Sequence, residues 1–402
     1  MKILIVNDYG VPAGGAERVS LILRDGLRER GHDARLFASS ARPVAADNPA
    51  DYTCLGTESG LRRVLQVANP SAALGLRRLL RAFRPDLVHV RMFLTQLSPF
   101  ILPALRGVPA LLHVGNYQTI CPLNTKRLPD GKPCHHRAGL PCLRAGCVSL
   151  AGLARTNVQL GLWRRWRDVF PLIVANSEAL AVRLRAEGVP VTTVIHNGTP
   201  LRAARPPLEE PPVVAYAGRL VGKKGVEVLL EAMARLRERV PDCRLIIAGD
   251  GPGWGTIEKR VARLGLQDRT SMPGFLHGDE LERRLAVAWV HAVPSRYEEP
   301  FPNTAIEAMM RGTAVVASAV GGCREIVRDG VTGLLVPPGD PGALANALET
   351  LLSNRELAAR MGTAARSAAL QDFHAHRMLD AFEAAYHSLL GTTAPTPLSV
   401  PR

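Results

Sequence analysis

The stretch Ser295-Arg296-Tyr297-Glu298-Glu299-Pro300-Phe301-Pro302-Asn303-Thr304-Ala305-Ile306-Glu307 sets two carboxylates, Glu299 and Glu307, eight positions apart across a strand-to-helix junction. Backbone N–H groups at a helix start can hold hydroxyl or phosphate oxygens. A carboxylate there can accept from a pair of vicinal hydroxyls. A capping carboxylate beside a surface glutamate would show the same spacing. The second chemical element is Gly218-Arg219-Leu220-Val221-Gly222-Lys223-Lys224-Gly225. An arginine and a lysine on one loop that opens onto a helix suit a diphosphate. Arginine can bind it with two parallel N–H bonds, lysine as a point charge, and the helix dipole adds to both. The loop is not a P-loop, because no Ser or Thr follows the lysine where that motif needs one.

These residues need elements to hold them. Short apolar runs at 3–6, 34–38, 87–90, 110–114, 172–175 and 191–195 read as strands buried on both faces. Amphipathic stretches at 17–30, 74–83 and 177–187 alternate with them, and a Gly-rich turn lies at 10–15. The Pro-rich segment 198–212 reads as a stiff linker. The pattern then restarts, with strands at 213–217, 244–248, 287–293, 314–317 and 334–336. Helices are expected at 226–239, to about 264, at 301–311 and at 341–352, with helical chain to about 390 and a tail at 391–402. The expectation is α/β: two Rossmann-like doubly wound domains, 1–197 and 213–372, facing a central cleft.

The chain has 402 residues, 47% of them hydrophobic, which excludes a disordered or fibrous chain. No apolar run reaches the roughly 18 residues of a membrane span. The N-terminal run meets Asp8 where a signal peptide would place small residues, so a cytoplasmic location is expected. Charge is uneven. Residues 1–200 hold 26 Lys+Arg against 13 Asp+Glu, net +13, while the remainder is net +1. Such a half suits an anionic partner, or it is an Arg-rich solvated surface; no basic block of nucleic-acid type is present. The segment Leu160-Gly161-Leu162-Trp163-Arg164-Arg165-Trp166-Arg167 reads either as a peripheral contact with an anionic membrane or as a core-facing helix with a solvated Arg face.

Four of the seven cysteines, Cys121, Cys134, Cys142 and Cys147, fall in one Pro/Gly-rich stretch. Structural zinc, disulfides and plain reduced thiols all remain open there. Four residues, not the two of a Cys-X-X-Cys pair, separate Cys142 from Cys147, which weakens the zinc signal.

In order and spacing the motifs resemble the retaining GT-B glycosyltransferases of the GT4, or group 1, family. That resemblance rests on Gly218-Arg219-Leu220 with Lys224-Gly225, on Gly249-Asp250-Gly251-Pro252, on Glu299 with Glu307-Ala308-Met309, on Gly321-Gly322 with Glu325, and on Asp329-Gly330 with Gly333. In the first half it rests on Gly14-Gly15-Ala16-Glu17-Arg18, Gly31-His32-Asp33, Asn176-Ser177 and Asn197-Gly198. It implies transfer of a sugar from a nucleotide diphosphate sugar to an acceptor glycan or lipid-linked sugar. Arg219 and Lys224 would neutralise the leaving diphosphate, Glu307 would hold the ribose, and Glu299 with the backbone of Phe301, Pro302 and Asn303 would meet the donor sugar. Gly218, Gly14 and Gly15 would let backbone approach the donor or a phosphate. A helix at 373–390 would return to the first domain. No Asp-X-Asp pair is present, so no catalytic metal or other cofactor is expected. Two features depart from the family. Pro300 and Pro302 replace glycines, and Pro302 lacks an N–H. His113 stands where a His-Asp pair is usual, without the Asp; it is either a catalytic residue or a structural one. A nucleotide-sugar 2-epimerase, a phosphorylase and a non-catalytic nucleotide-sugar-binding protein are the alternatives.

Overall fold

The computed structural model describes residues 1–12, 14–43 and 47–392; most of the expected tail lies outside the described residues. The chain divides into two compact units, Met1–Pro200 with the chain from Ala375, and Leu201–His374. The first unit runs β1 (Lys2–Tyr9), α1 (Gly15–Glu29), β2 (Asp33–Ser39), β3 (Tyr52–Cys54), α2 (Arg62–Leu65), α3 (Pro70–Phe83), β4 (Leu87–Val90), β5 (Ala110–Val114), α4 (Leu140–Arg144), α5 (Leu150–Trp166), β6 (Leu172–Ala175), α6 (Glu178–Ala186) and β7 (Thr193–Val194). The second runs β8 (Val213–Ala217), α7 (Val226–Leu236), β9 (Arg244–Ala248), α8 (Trp254–Arg263), β10 (Thr270–Gly274), α9 (Gly278–Leu285), β11 (Val290–Val293), α10 (Asn303–Arg311), β12 (Ala314–Ser318), α11 (Cys323–Ile326), β13 (Gly333–Val336), α12 (Pro341–Leu352) and α13 (Arg355–Asp372). The last helix, α14 (Ala375–Leu390), belongs with the first unit.

Both sheets are wholly parallel, ordered β3-β2-β1-β4-β5-β6-β7 and β10-β9-β8-β11-β12-β13. Each direction of winding reverses beside the first strand of its unit, between β1 and β4 and between β8 and β11. Crevices at such switch points, outside the carboxyl ends of the strands, are where these sheets bind ligands. The apolar run in β1 follows from burial on both faces. Leu4 and Val6 enter one core with Leu76, Leu112 and Trp163, while Ile3 and Ile5 enter another with Leu23, Leu27, Leu379 and Phe382. Thus α14 completes the second of these cores, and Ala375 N–H donates to the Thr199 carbonyl where it joins the unit.

Three expectations change here. Segment 198–212 is not a free spacer: Arg205 N–H donates to the Arg311 carbonyl at 2.8 Å and Leu208 is buried in the core of the second unit. Of the two readings of the Trp/Arg segment, the tryptophans of α5 follow the core-facing one. Trp163 is fully buried with its ring 5.7 Å from that of Phe93, and Trp166 packs edge-on against Phe100. Strands β3 and β10, both short, were missed because they lack long apolar runs.

Candidate functional site

In the second unit, the loops that follow β8 and β11 meet at the switch point. Arg296 N–H donates to the Lys223 carbonyl at 2.9 Å, pinning one loop to the other. Gly225 makes the approach possible. It sits at φ +72, and a Cβ there would lie 1.9 Å from the Pro294 carbonyl oxygen. A third loop joins from beyond β12, where Gly322 N–H donates to the Glu299 carbonyl at 2.8 Å. The spaced glycines of the motifs are therefore contact points between loops.

This packing drives Glu299 inward, leaving it 3% exposed. Lys224 Nζ reaches its Oε1 at 2.6 Å, Ser295 Oγ donates to the same oxygen, and the Tyr297 hydroxyl donates to Oε2 at 2.8 Å. Burial by itself would raise the Glu299 pKa. The Lys224 charge and the hydrogen bonds from Lys224, Ser295 and Tyr297 outweigh it, so the carboxyl sits below its ordinary range. Glu299 is thus an ionised acceptor with both oxygens engaged, better suited to fixing Lys224 than to taking up a proton. Lys224 keeps partial exposure, and Lys223 lies over the Tyr297 ring. Arg219 is exposed on the same loop as Lys224, and its guanidinium has no carboxylate partner among the described residues. Gly218, at φ +153, turns the chain out of β8 toward it.

Glu307 lies in the first turns of α10, largely buried, 3.6 Å from Arg202. Arg202 also pairs with Glu282 at 2.9 Å. Pro302 is the residue before α10, so its missing N–H falls where a helix start tolerates the loss. The Phe301 ring is buried against Phe373, and Asn303 opens the helix. Ser295, Tyr297 and Arg202 were not singled out from sequence. The first two stand four and two positions before Glu299, and that spacing was the available signal.

In the first unit, Gly14 is the cap of α1 at the carboxyl end of β1, followed by Gly15. A Cβ on Gly14 would lie 2.9 Å from a Glu17 carboxylate oxygen, so an acidic side chain occupies that helix start. His113 is wholly buried within β5, its Nδ1 2.6 Å from Arg91 Nη1 and 3.3 Å from His89 Nε2. Burial first, then the charge of Arg91 and the neighbouring His89, hold its pKa well below the usual histidine value. A neutral imidazole locked this way positions Arg91. Arg91 itself was missed, because one arginine after an apolar strand carries no local signal.

The four clustered cysteines are free thiols, three of them buried. Cys147 N–H donates to the Cys142 carbonyl and Gly146 N–H to the Leu143 carbonyl, a Schellman turn that accounts for their spacing. Among the described residues, however, no three His, Cys, Asp or Glu side chains are arranged to hold a metal ion. The other three thiols do lie near Cys147: burial first, then Cys142, Cys134 and Cys121, push its thiol pKa up.

Comparison with known proteins decides the family. Residues 199–368 match the model of glycosyl transferases group 1, and residues 13–203 that of glycosyltransferase family 4. Glycogen synthase of Mycobacterium tuberculosis is 30% identical over 401 residues, covering 93% of this chain and 91% of the relative. The chain belongs to glycosyltransferase family 4. Alpha-D-kanosaminyltransferase of Streptomyces kanamyceticus is 38% identical over 154 residues, a match that spans only 38% of this chain and 40% of that relative. Anabaena HepE, solved with UDP and glucose, shares the fold with TM-score 0.70 at 22% identity, covering 96% of this chain and 100% of that one. The family-4 chain therefore has the GT-B class of fold, two Rossmann-like units. No helix among its described residues is long and apolar enough to cross a membrane.

Proposed function

We propose that this family-4 chain moves a sugar from a nucleotide diphosphate sugar to an acceptor with retention of anomeric configuration and without a catalytic metal. The observation that carries the reading is the pairing of Lys224 with the buried Glu299 beside the exposed Arg219, on one loop at the switch point of the second unit. Cleaving the glycosidic bond puts negative charge on the diphosphate. Cations fixed in advance stabilise that charge as it grows and need no reorganisation when the bond breaks. Glu299 orients Lys224, Glu307 accepts from the ribose hydroxyls, and the chain around Phe301, Pro302 and Asn303 borders the donor sugar. The acceptor, a glycan or lipid-linked sugar, belongs to the basic first unit, which on this reading works in the cytoplasm against an anionic membrane face. Similarity to transferases along the whole chain supports transfer over epimerisation or phosphorolysis.

The test combines a thermal-shift panel of nucleoside diphosphates with kinetics of Arg219→Ala, Lys224→Ala and Glu307→Ala. One nucleotide should raise the melting temperature. Each variant should lose about a hundredfold or more in turnover while staying folded. Product NMR should show the donor's anomeric configuration, and EDTA should leave the rate unchanged. Full activity in all three variants would remove the site assignment.

A further inference from the structure

At the carboxyl edge of the first sheet, Asn7 in β1, Arg91 after β4, Gly115 after β5 and Asn176 after β6 fall in a row across four adjacent strands. The register fixes the row. Arg91 N–H donates to the Val6 carbonyl at 2.8 Å, and Asn176 N–H to the Val114 carbonyl at 3.1 Å. Arg91 is only 3% exposed, yet it makes no ion pair with any carboxylate among the described residues. Its side-chain partner is the neutral His113, reached through Nη1. Among the described residues its Nε is buried with no partner, as are Oδ1 of Asn7 and Oδ1 of Asn176. Burying a cation and three unmet polar atoms at one edge is costly unless something supplies the missing bonds.

Gly115 shows where that something fits. It is partly exposed, and a Cβ on it would lie 3.3 Å from Asn176 Nδ2 and 3.5 Å from Arg91 Nη2. Two outward donors therefore flank a notch that is open only because residue 115 has no side chain. The arginine is held in place from behind by a chain of contacts. The Tyr386 hydroxyl meets His89 Nδ1 at 2.7 Å, and His89 Nε2 meets His113 Nδ1, which accepts from Arg91. Glu17 contributes opposing charge to Arg91 without bonding to it.

We infer that the Gly115 notch, lined by Arg91 and Asn176, binds a phosphate-type oxyanion of the acceptor. The inference rests on the reading that the first unit takes the acceptor, and it names that acceptor as anionic. Arg91, Asn176 and Gly115 set specificity, while His89 and His113 position the arginine.

The full chain carrying Arg219→Ala, which removes an exposed cation from the donor loop of the other unit, is titrated with methyl phosphate and followed by 31P NMR. Vesicles of phosphatidylcholine with and without phosphatidic acid form a second arm. Binding weaker by about tenfold or more is expected in Arg91→Met and in Gly115→Ala. Arg91→Lys should recover part of it, and Arg77→Met, which removes an exposed charge from α3, should bind as the parent does. Competition by the phosphatidic-acid vesicles assigns the oxyanion to a lipid, and its absence assigns it to a soluble phosphate; both support the notch. Undiminished binding in Gly115→Ala, whose lone methyl group threatens folding least, overturns it, as does an equal loss in Arg77→Met. Thermal shift with nucleoside diphosphates on the chain without Arg219→Ala reads the second unit separately, so failure of the donor reading and failure of the notch are distinguishable.

Discussion

At Glu299, burial and pairing pull in opposite directions, and the sign of the outcome fixes the residue's chemistry. Desolvation favours the protonated carboxyl; Lys224, Ser295 and Tyr297 together favour the carboxylate and prevail. Removing the lysine should reverse the balance, because the two neutral hydroxyl donors are left to oppose burial alone. In Lys224→Met, the Glu299 carboxyl should titrate above the ordinary glutamate value of 4.5. Infrared difference spectra across an acid titration should then show a carboxyl that protonates at higher pH than in the parent, a band absent from Lys224→Met with Glu299→Gln. Turnover should fall by about a hundredfold or more, as when one preorganised donor to a developing anion is deleted. A Glu299 that stays ionised in the variant would mean that Ser295 and Tyr297 suffice, and that the lysine acts on substrate alone.

The elements place these residues through close loop packing. Gly225 ends the cation loop and starts α7 at a left-handed φ, with the Pro294 carbonyl where a Cβ would go. Gly225→Ala meets both penalties, backbone strain and a clash with backbone that cannot swing aside. It should destabilise the second unit by about 2 kcal/mol or more and weaken nucleotide binding by pushing Lys224 away from Glu299. Chemical denaturation and a nucleotide-induced shift in melting temperature read the two effects separately. This loop also shows how much the sequence discloses. Gly218, Arg219, Lys224, Glu299 and Glu307 could be singled out because each stands within a short motif whose spacing the chain itself sets. The parallel sheets were legible because strands buried on both faces leave unbroken apolar runs. Residues whose meaning comes from distant chain were hidden. His113 read as a site residue until Arg91, His89 and Tyr386 surrounded it, and Arg202 gave no sign inside a stretch that looked like a spacer. The gap between Cys142 and Cys147 made sense only as a Schellman turn.

Across the whole molecule, both units bury imidazoles that fold in the neutral form. His89 and His113 lie in the first unit, each with a pKa held well below the ordinary 6.5 by burial and then by the charge of Arg91. His291 lies in the second, pushed down to about 3 by burial and then by Arg311, with no hydrogen-bond partner for either ring nitrogen among the described residues. A folded-state pKa below the unfolded one means that, between the two values, the unfolded chain binds a proton that the folded chain refuses. Stability is therefore full above about pH 6.5 and is lost as pH falls from there toward the folded values, by about 1.4 kcal/mol per pH unit for each imidazole. Urea unfolding at pH 7.5, 6.0 and 5.0 should follow that loss. His291→Leu should flatten it for the second unit by the share of one proton. At pH 7.5 it should leave that unit as stable as before or slightly more so, because the replaced ring made no hydrogen bond there. Equal acid slopes in parent and variant would mean that His291 is protonated within the fold, and that the acidic side chain nearest Arg311, Glu282 at 3.1 Å, compensates a second buried charge.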